Sequence, residues 1–492
     1  MVNTYDYVIV GSGISGLYFA HLLKNKTDNF IILEKKGRMG GRIKTVKHEC
    51  FWYEAGATRI PFHHKYILEL IKKLDLSHKL FQMCPKKDYN INGKFLNSKR
   101  CQMDFKKTTN NIIKNGKKLR KGSKFSNTLF SISNHILNKK IIDDYIVKTG
   151  YNSQQNKCNF YNYLKNLKNY NNTKYYKLYD GLIQIIDKLA CLIGKDKIKM
   201  GHLLQDIKYD NKNRIFNLLV NGKVVKTKNL VCGIMKLDLL KFDILYDYDN
   251  LLNSVSHNKY IRVYAKYNKV NGKYWFENIN KTITDRCLRK IIPVDKNNGL
   301  IQLCYCDSEY AEMLDNENIN GTLFNVIHKN LCKIFPNIKI PKPIYFRAHY
   351  WDSGTHWWLP NAESDKIGKK IEHIDDNIPL YIIGEAYSSV QGWMEGGIVS
   401  ALSVFNRIFN EKKKRAYKKY TRKEVERHNT MKDGWIIYRD NVYDVTKWIP
   451  LHPGGDVIKY GLGKDISDLF ENVGHSNSAH IVMEKYKIGE LK

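Results

Sequence analysis

Three glycines, Gly11, Gly13 and Gly16, stand in GxGxxG spacing directly behind an apolar run, Tyr5 to Val10, and ahead of a stretch with helical spacing, Leu17 to Leu23. A dinucleotide needs that order. The first glycine permits the turn, the second lets a pyrophosphate approach the backbone, and the third lets helix and strand pack closely. The helix N-terminus then offers unpaired N–H groups to the phosphates. Glu34 closes a second apolar run, Phe30 to Leu33, 18 residues beyond Gly16, where a carboxylate accepts hydrogen bonds from ribose hydroxyls. Two more segments set glycine beside charge: Gly37 to Arg42, and Glu54 to Arg59. No Ser/His/Asp or Cys/His arrangement is identifiable, and no paired CxxC units stand where a zinc site would need them.

On these residues the chain resembles the flavin-dependent amine oxidase family, over roughly residues 5 to 410. The RxGGR turn is Arg38, Met39, Gly40, Gly41, Arg42, and the ExGAxR segment is Glu54, Ala55, Gly56, Ala57, Thr58, Arg59. Near the C-terminal end come Gly384, Glu385, Ala386, Tyr387, Ser388 and then Gln391, Gly392, Trp393, Met394, Glu395, Gly396. The resemblance implies FAD. Arg42 would meet its pyrophosphate, Glu385 would be the cofactor acid beside Gly384, Arg59 and the Ala57–Thr58 backbone would lie near the flavin, and Met394 would offer its N–H to the ring. It also implies a small-molecule amine substrate held between aromatic faces. Trp393 occupies the position of one. Trp358, or else Trp357 or Trp351, supplies the other.

Two departures from the family pattern matter. The stretch Asp352, Ser353, Gly354, Thr355, His356 lacks the cysteine that some members join to FAD, so a non-covalent cofactor is expected. Many members also place a lysine over the flavin; Arg262 is the best positional match, with Lys259 or Lys266 in another register. Flavin takes the hydride itself, so the protein supplies orientation and electrostatics. His202, His349 and His356 are accordingly read as structural.

Residues 420 to 492 carry a second set of motifs, Leu451, His452, Pro453, Gly454, Gly455 and later Gly474, His475, Ser476. This segment resembles the cytochrome b5 family, and the resemblance implies haem b with His452 and His475 as axial ligands. Two neutral imidazoles saturate the iron, so such a site passes electrons instead of activating oxygen. His480 is read as a surface residue.

The elements that must position these groups follow from pattern. The fold class expected is an α/β, Rossmann-like FAD-binding domain with an inserted α+β substrate domain, followed by a small α+β cytochrome b5-like domain. The FAD-binding domain is assigned to 1–62, 176–240 and 376–410, and the substrate domain to 63–175 and 241–375. A linker, 411–419, then leads to the haem domain, 420–492. Apolar alternation marks strands near Tyr260 to Tyr267, a buried parallel strand at Tyr381 to Ile383, and a helix from about Glu395 to Phe409. Between Lys86 and Lys177 the pattern reads as helices. In the last unit Thr421 and Glu424 have capping-box spacing, and Asp440-Asn441 is the expected hairpin turn.

Composition bounds the rest. The formal charge is +34; Lys418 to Lys492 carry thirteen Lys and Arg against eleven Asp and Glu, which leaves +32 on the remainder. The basic residues are dispersed and accompany an excess of Asn, Ile and Tyr, which argues against nucleic acid as the partner. Ten scattered cysteines read as reduced thiols. No secretory signal and no apolar run of membrane-spanning length is found, so a soluble cytoplasmic protein without membrane insertion is expected. The function implied is oxidation of a C–N bond to an imine by FAD, with electrons passed to the fused haem and on to a downstream acceptor. A desaturase or porphyrinogen-oxidase type of enzyme, or a flavin-binding scaffold without catalysis, are the alternatives.

Overall fold

A computed structural model describes residues 4–83, 86–132, 137–151, 158–170, 173–410, 418–473, 475, 479, 482–483 and 486–492. The chain divides into two compact units, Met1–Phe405 and Asn406–Lys492.

Two seven-stranded sheets organise the larger unit among the described residues. The first begins with Thr4–Val10, whose buried Val8, Ile9 and Val10 make it a strand enclosed on both faces. It pairs in parallel with Phe30–Glu34 on one side and Lys223–Cys232 on the other. The short strand Leu380–Ile382 joins Lys223–Cys232 in parallel. The helix Ile14–Leu23 connects the first two strands. This places the ends of three parallel strands, and with them Gly11, Glu34 and Gly384, on one side of the sheet.

The second sheet runs in the order Tyr345–Trp358, Val255–Lys266, Leu300–Asp307, Lys290–Asp295, Lys281–Thr284, Lys87–Ile91, Lys94–Leu96. Its neighbours are antiparallel except for Lys281–Thr284 beside Lys87–Ile91. Apolar side chains such as Ile261, Val263, Leu303 and Cys304 pack from this sheet onto the helices Ser308–Ile319 and Leu323–Ile334.

The segment between Lys86 and Lys177 does hold helices, Ser98–Lys117, Lys139–Thr149 and Phe160–Tyr170. It also holds the strands Lys87–Ile91, Lys94–Leu96 and Tyr175–Leu178, which sequence reading did not find. Lys87–Ile91 and Tyr175–Leu178 are short and polar and become strands because of partners far along the chain, while Lys94–Leu96 closes a local hairpin onto Lys87–Ile91.

In the smaller unit the capping box forms as its spacing requires: the Thr421 hydroxyl accepts from Glu424 N, and the Glu424 carboxylate accepts from Thr421 N. Two expectations are corrected. Lys418 and Lys419, assigned to a linker, belong to the strand Lys418–Tyr420, which pairs in parallel with Lys487–Leu491; residues 411–417 of that linker lie outside the described residues. The hairpin turn is Arg439-Asp440 rather than Asp440-Asn441. Tyr438 and Asn441 form the last cross-strand pair, and the two residues between them take φ of 49° and 62°, the left-handed pair that a tight hairpin requires.

Candidate functional site

A cavity of about 2270 Å³ runs through the larger unit, lined at one end by Gly11, Gly13 and Glu34 and elsewhere by Arg42, Glu385, Trp393 and Arg262. Its glycine end is built by close approach. A Cβ on Gly16 would lie 2.0 Å from the Gly11 carbonyl oxygen, and Gly11 holds φ at +101°. Gly13 differs, because a Cβ there would meet nothing within 4 Å. It faces open cavity at the start of the helix Ile14–Leu23, whose N-terminus has no side-chain cap. Unspent N–H groups facing open space fit a phosphate. The Glu34 carboxylate accepts from Ser12 N at 3.0 Å, Ser12 Oγ at 2.7 Å and Lys36 N at 2.9 Å. Its four lone-pair positions leave one acceptor site unspent.

The RxGGR turn packs against this loop, with Gly40 N donating to the Ser12 carbonyl. Gly40 and Gly41 both have positive φ. The ExGAxR segment is fastened to the turn in its own way: Ala57 N donates to the Arg42 carbonyl at 3.0 Å, and a Cβ on Gly56 would come within 1.9 Å of that oxygen. Arg262 donates to the Glu54 carbonyl at 3.1 Å and to the Thr58 hydroxyl. Its guanidinium lies 4.3 Å from the Tyr305 ring centroid, a cation–π arrangement.

Glu385 follows the strand Leu380–Ile382 and is 5% exposed. Arg42 pairs with it at 3.0 Å. The His356 backbone N–H and ring Nδ1 stand 2.9 Å from its two oxygens, and Gly392 N donates at 3.2 Å. Burial alone would raise this carboxyl; Arg42 and His356 outweigh it and hold it at about 2. Sequence reading missed His356 as a site residue. It is fully buried, lines the cavity, and links Glu385 to the Ser353 hydroxyl at 3.1 Å.

Trp393 stands just before the helix Met394–Asn410. Its ring is stacked with Tyr175 at 6.1 Å and 19°, and His64 meets it edge-on at 5.3 Å. The Arg59 guanidinium lies 4.6 Å from the Tyr175 centroid and 5.7 Å from that of Trp393. Glu395, two residues on, accepts from Tyr66 N and Ile67 N and so ties this segment to the helix Lys65–Lys73. Met394 lines the cavity.

The structure does not bring Trp358 to this place. It is 1% exposed and sits in the core with Tyr387 and Ile371, whereas Trp351 and Trp357 line the cavity. The cavity lining along the strand Tyr345–Trp358 runs from Tyr350 to Trp357 and stops short of Trp358. On the strand Val255–Lys266, Lys259 pairs with Glu312 and Lys266 donates to the Asn298 carbonyl; of Lys259, Arg262 and Lys266, Arg262 alone lines the cavity.

In the smaller unit His452 Nδ1 lies 3.2 Å from the Gly455 carbonyl oxygen, and His475 Nδ1 lies 3.0 Å from that of Phe470, on whose ring it stacks at 4.0 Å. A ring nitrogen that donates to a carbonyl leaves the other as a lone pair, the state in which imidazole ligates a metal. Leu451, Val457, Tyr460, Leu469 and Val473 are each more than half exposed. Histidines with both Nε2 atoms unspent, flanked by bare apolar side chains, fit an apolar iron macrocycle. His480 lies outside the described residues.

The family model for flavin containing amine oxidoreductase matches residues 14–408. The chain belongs to the flavin containing amine oxidoreductases. The model for the cytochrome b5-like haem/steroid binding domain matches residues 421–492. Cytochrome b5 of Drosophila melanogaster is 53% identical over 75 residues, which are 15% of this chain and 56% of that protein. Cytochrome b5 of Nicotiana tabacum is 47% identical over 75 residues, 15% of this chain and 55% of that one. The chain thus spans little more than half the length of the curated relatives it matches.

Two solved structures share the fold. "Putative protoporphyrinogen oxidase" from Exiguobacterium sp. 255-15 has a TM-score of 0.66 at 14% identity, covering 84% of this chain and all of that one. Cyclohexylamine oxidase from Brevibacterium oxydans IH-35A has a TM-score of 0.64 at 15% identity, covering 82% and 100%. This member of the amine oxidoreductases is therefore an FAD-dependent oxidoreductase joined to a cytochrome b5-like haem domain, with FAD and haem as its cofactors. Among the described residues no helix is long and apolar enough to cross a membrane.

Proposed function

We propose that this amine oxidoreductase removes two electrons from the C–N bond of a small amine and passes them to its own haem. The observation that carries the reading is the continuity of one cavity from Gly13, through Arg42 and Glu385, to Trp393, Tyr175 and Arg262. FAD, when bound, supplies the acceptor for a hydride equivalent from the carbon, and the nitrogen loses a proton, so that the imine and then its hydrolysis products leave. The open face at Gly13 and the N-terminus of Ile14–Leu23 hold the pyrophosphate end. Glu34 and Arg42 flank it, with Arg42 kept in place by Glu385. Trp393 with Tyr175 provides the aromatic surface for the amine, and Trp351 or Trp357, instead of Trp358, provides the second.

Arg262 takes the place that the family gives to a lysine. An arginine stays charged at any working pH and cannot pass on the proton that a lysine can. Oxygen is therefore a slow acceptor in this reading, and the haem, held by His452 and His475, is the faster one. Covalent attachment fixes its effective concentration near the flavin unit.

The test is anaerobic mixing of the full-length protein with amines. The expected result is flavin bleaching followed by haem reduction at a rate independent of protein concentration. Peroxide formed in air at the same rate with and without residues 418–492, the haem staying oxidised, would overturn the electron-transfer half.

A further inference from the structure

One wall of the cavity is a face of the second sheet, and that face is cationic. Lys281 is the register partner of Lys87, and Ile283 that of Tyr89, across the parallel pair. Ile283 is also opposite Lys290 on the antiparallel side. Residues two apart on a strand share a face, so Lys87, Lys281 and Lys290 stand on the same side as Tyr89 and Ile283. All five line the cavity. Arg59, which touches Tyr175 and Trp393, acts electrostatically on Lys87, Lys281 and Lys290 alike.

These four basic groups have no carboxylate within ion-pair distance among the described residues. Lys290 is 3% exposed. Its stem lies across Gly150, where a Cβ would come within 2.4 Å of the lysine Cε, and its ammonium rests against the Tyr151 ring. Asp307 acts on Lys290 from beyond ion-pair distance. Glu54 is spent elsewhere, on Leu182 N and the Thr45 hydroxyl, and burial raises its carboxyl to about 7 in spite of them. Burial, then Arg59 and Lys87, pushes the Lys281 ammonium down to about 7. Burial, then Lys281 and Arg59, pushes Lys290 well down.

Like charges side by side across two strands oppose their pairing, and burial with mutual repulsion disfavours the protonated form of Lys281 and Lys290. Tyr89 and Ile283 show that uncharged side chains fill the same face. An oxyanion placed there favours the protonated lysines and offsets their mutual repulsion. A polyamine adds to that repulsion.

We propose that this sheet face, with Arg59, binds an oxyanionic group of the substrate, so that the amine oxidised carries a carboxylate or a phosphate at some distance from its nitrogen. The proposal rests on the amine reading for the word amine alone; the anion-binding face stands on its own geometry.

The experiment uses the full-length, FAD-loaded protein, with the dinucleotide site filled, and Lys87→Gln, Lys281→Gln and the double variant. Lys223→Gln, at the exposed start of the strand Lys223–Cys232 in the first sheet, is the control. Glutarate and inorganic phosphate are titrated by calorimetry and by tryptophan fluorescence. At least one should bind, and each single variant should weaken it about tenfold, the size of one charge-assisted contact. Lys281→Arg should restore most of the affinity. Which of the two anions binds separates carboxylate from phosphate.

In parallel, anaerobic flavin bleaching compares γ-aminobutyrate and phosphoethanolamine with butylamine and putrescine. Preference for an anionic amine, lost in the double variant, supports the proposal. Equal or better bleaching by butylamine or putrescine, or anion binding unchanged in the double variant, overturns it and leaves the amine reading intact. Anion binding that needs these lysines, with no amine bleaching the flavin, overturns the amine reading and leaves the anionic face. No binding of either anion, with butylamine active, overturns the proposal outright.

Discussion

Replacing Glu385 by glutamine is expected to destabilise the larger unit by an amount that depends on pH in a defined direction. Glutamine keeps an acceptor for the His356 and Gly392 N–H groups but leaves the half-buried Arg42 without a counter-charge. The Glu385 carboxyl is held at about 2 against an ordinary 4.5, which corresponds to about 3 kcal/mol at neutral pH. Removing one partner of a buried ion pair costs a similar amount, about 3–5 kcal/mol. A carboxyl whose folded value is depressed stabilises fully above its unfolded value and loses that stabilisation as pH falls toward the folded one. The gap between wild type and Glu385→Gln should therefore be constant from pH 7 to about 5, shrink to about half by pH 3, and vanish near pH 2. Urea unfolding of the FAD-free proteins, followed by tryptophan fluorescence at several pH values, measures it. A gap below about 1 kcal/mol at pH 7, or one that stays flat down to pH 3, would refute the argument that Arg42 and His356 outweigh burial at this carboxyl.

Gly16→Ala places a methyl 2.0 Å from the Gly11 carbonyl oxygen, so the loop must shift; the purified variant should carry little FAD by absorbance at unchanged haem content, and normal flavin loading would show that the loop tolerates the change. His452→Ala and His475→Ala should each convert a six-coordinate low-spin haem spectrum to high-spin or haem-free, and an unchanged spectrum in either would mean that another ligand serves. Acid precipitation should release all the flavin into the supernatant, because the stretch Asp352 to His356 holds no cysteine; yellow colour in the pellet would contradict this.

How much of the site was legible in the sequence depends on how far apart its partners lie. Gly11, Gly13 and Gly16 announce themselves because turn, phosphate approach and packing are all decided within six residues. The capping box of Thr421 and Glu424 is local in the same way. His356 and Glu385 meet only because a strand end and a strand-to-helix junction, 29 residues apart, converge on one cavity, and no spacing rule carries that. The choice between Trp357 and Trp358 turns on where along the strand Tyr345–Trp358 the cavity lining stops, and that strand pairs with a register shift near Asn258 and Tyr260, which defeats counting by twos. The cationic face was invisible for a stronger reason. Lys87, Lys281 and Lys290 are three lysines among many in a chain of formal charge +34, and only the strand register sets them side by side.

The parallel pairing of Lys87–Ile91 with Lys281–Thr284 also has a consequence for synthesis. The two strands are about 190 positions apart in the chain, so at about 5–20 residues per second the earlier one waits on the order of 10–40 seconds for its partner to leave the ribosome. During that interval the hairpin of Lys87–Ile91 and Lys94–Leu96 has an open edge, the kind of surface that recruits strands from other nascent chains. Lysine is among the residues that blunt such an edge, and Lys87 opens the waiting strand. The charge that is costly beside Lys281 in the finished sheet thus protects the unfinished one. Neutralising Lys87 should raise the share of newly made protein lost to aggregates even where it makes the folded protein more stable.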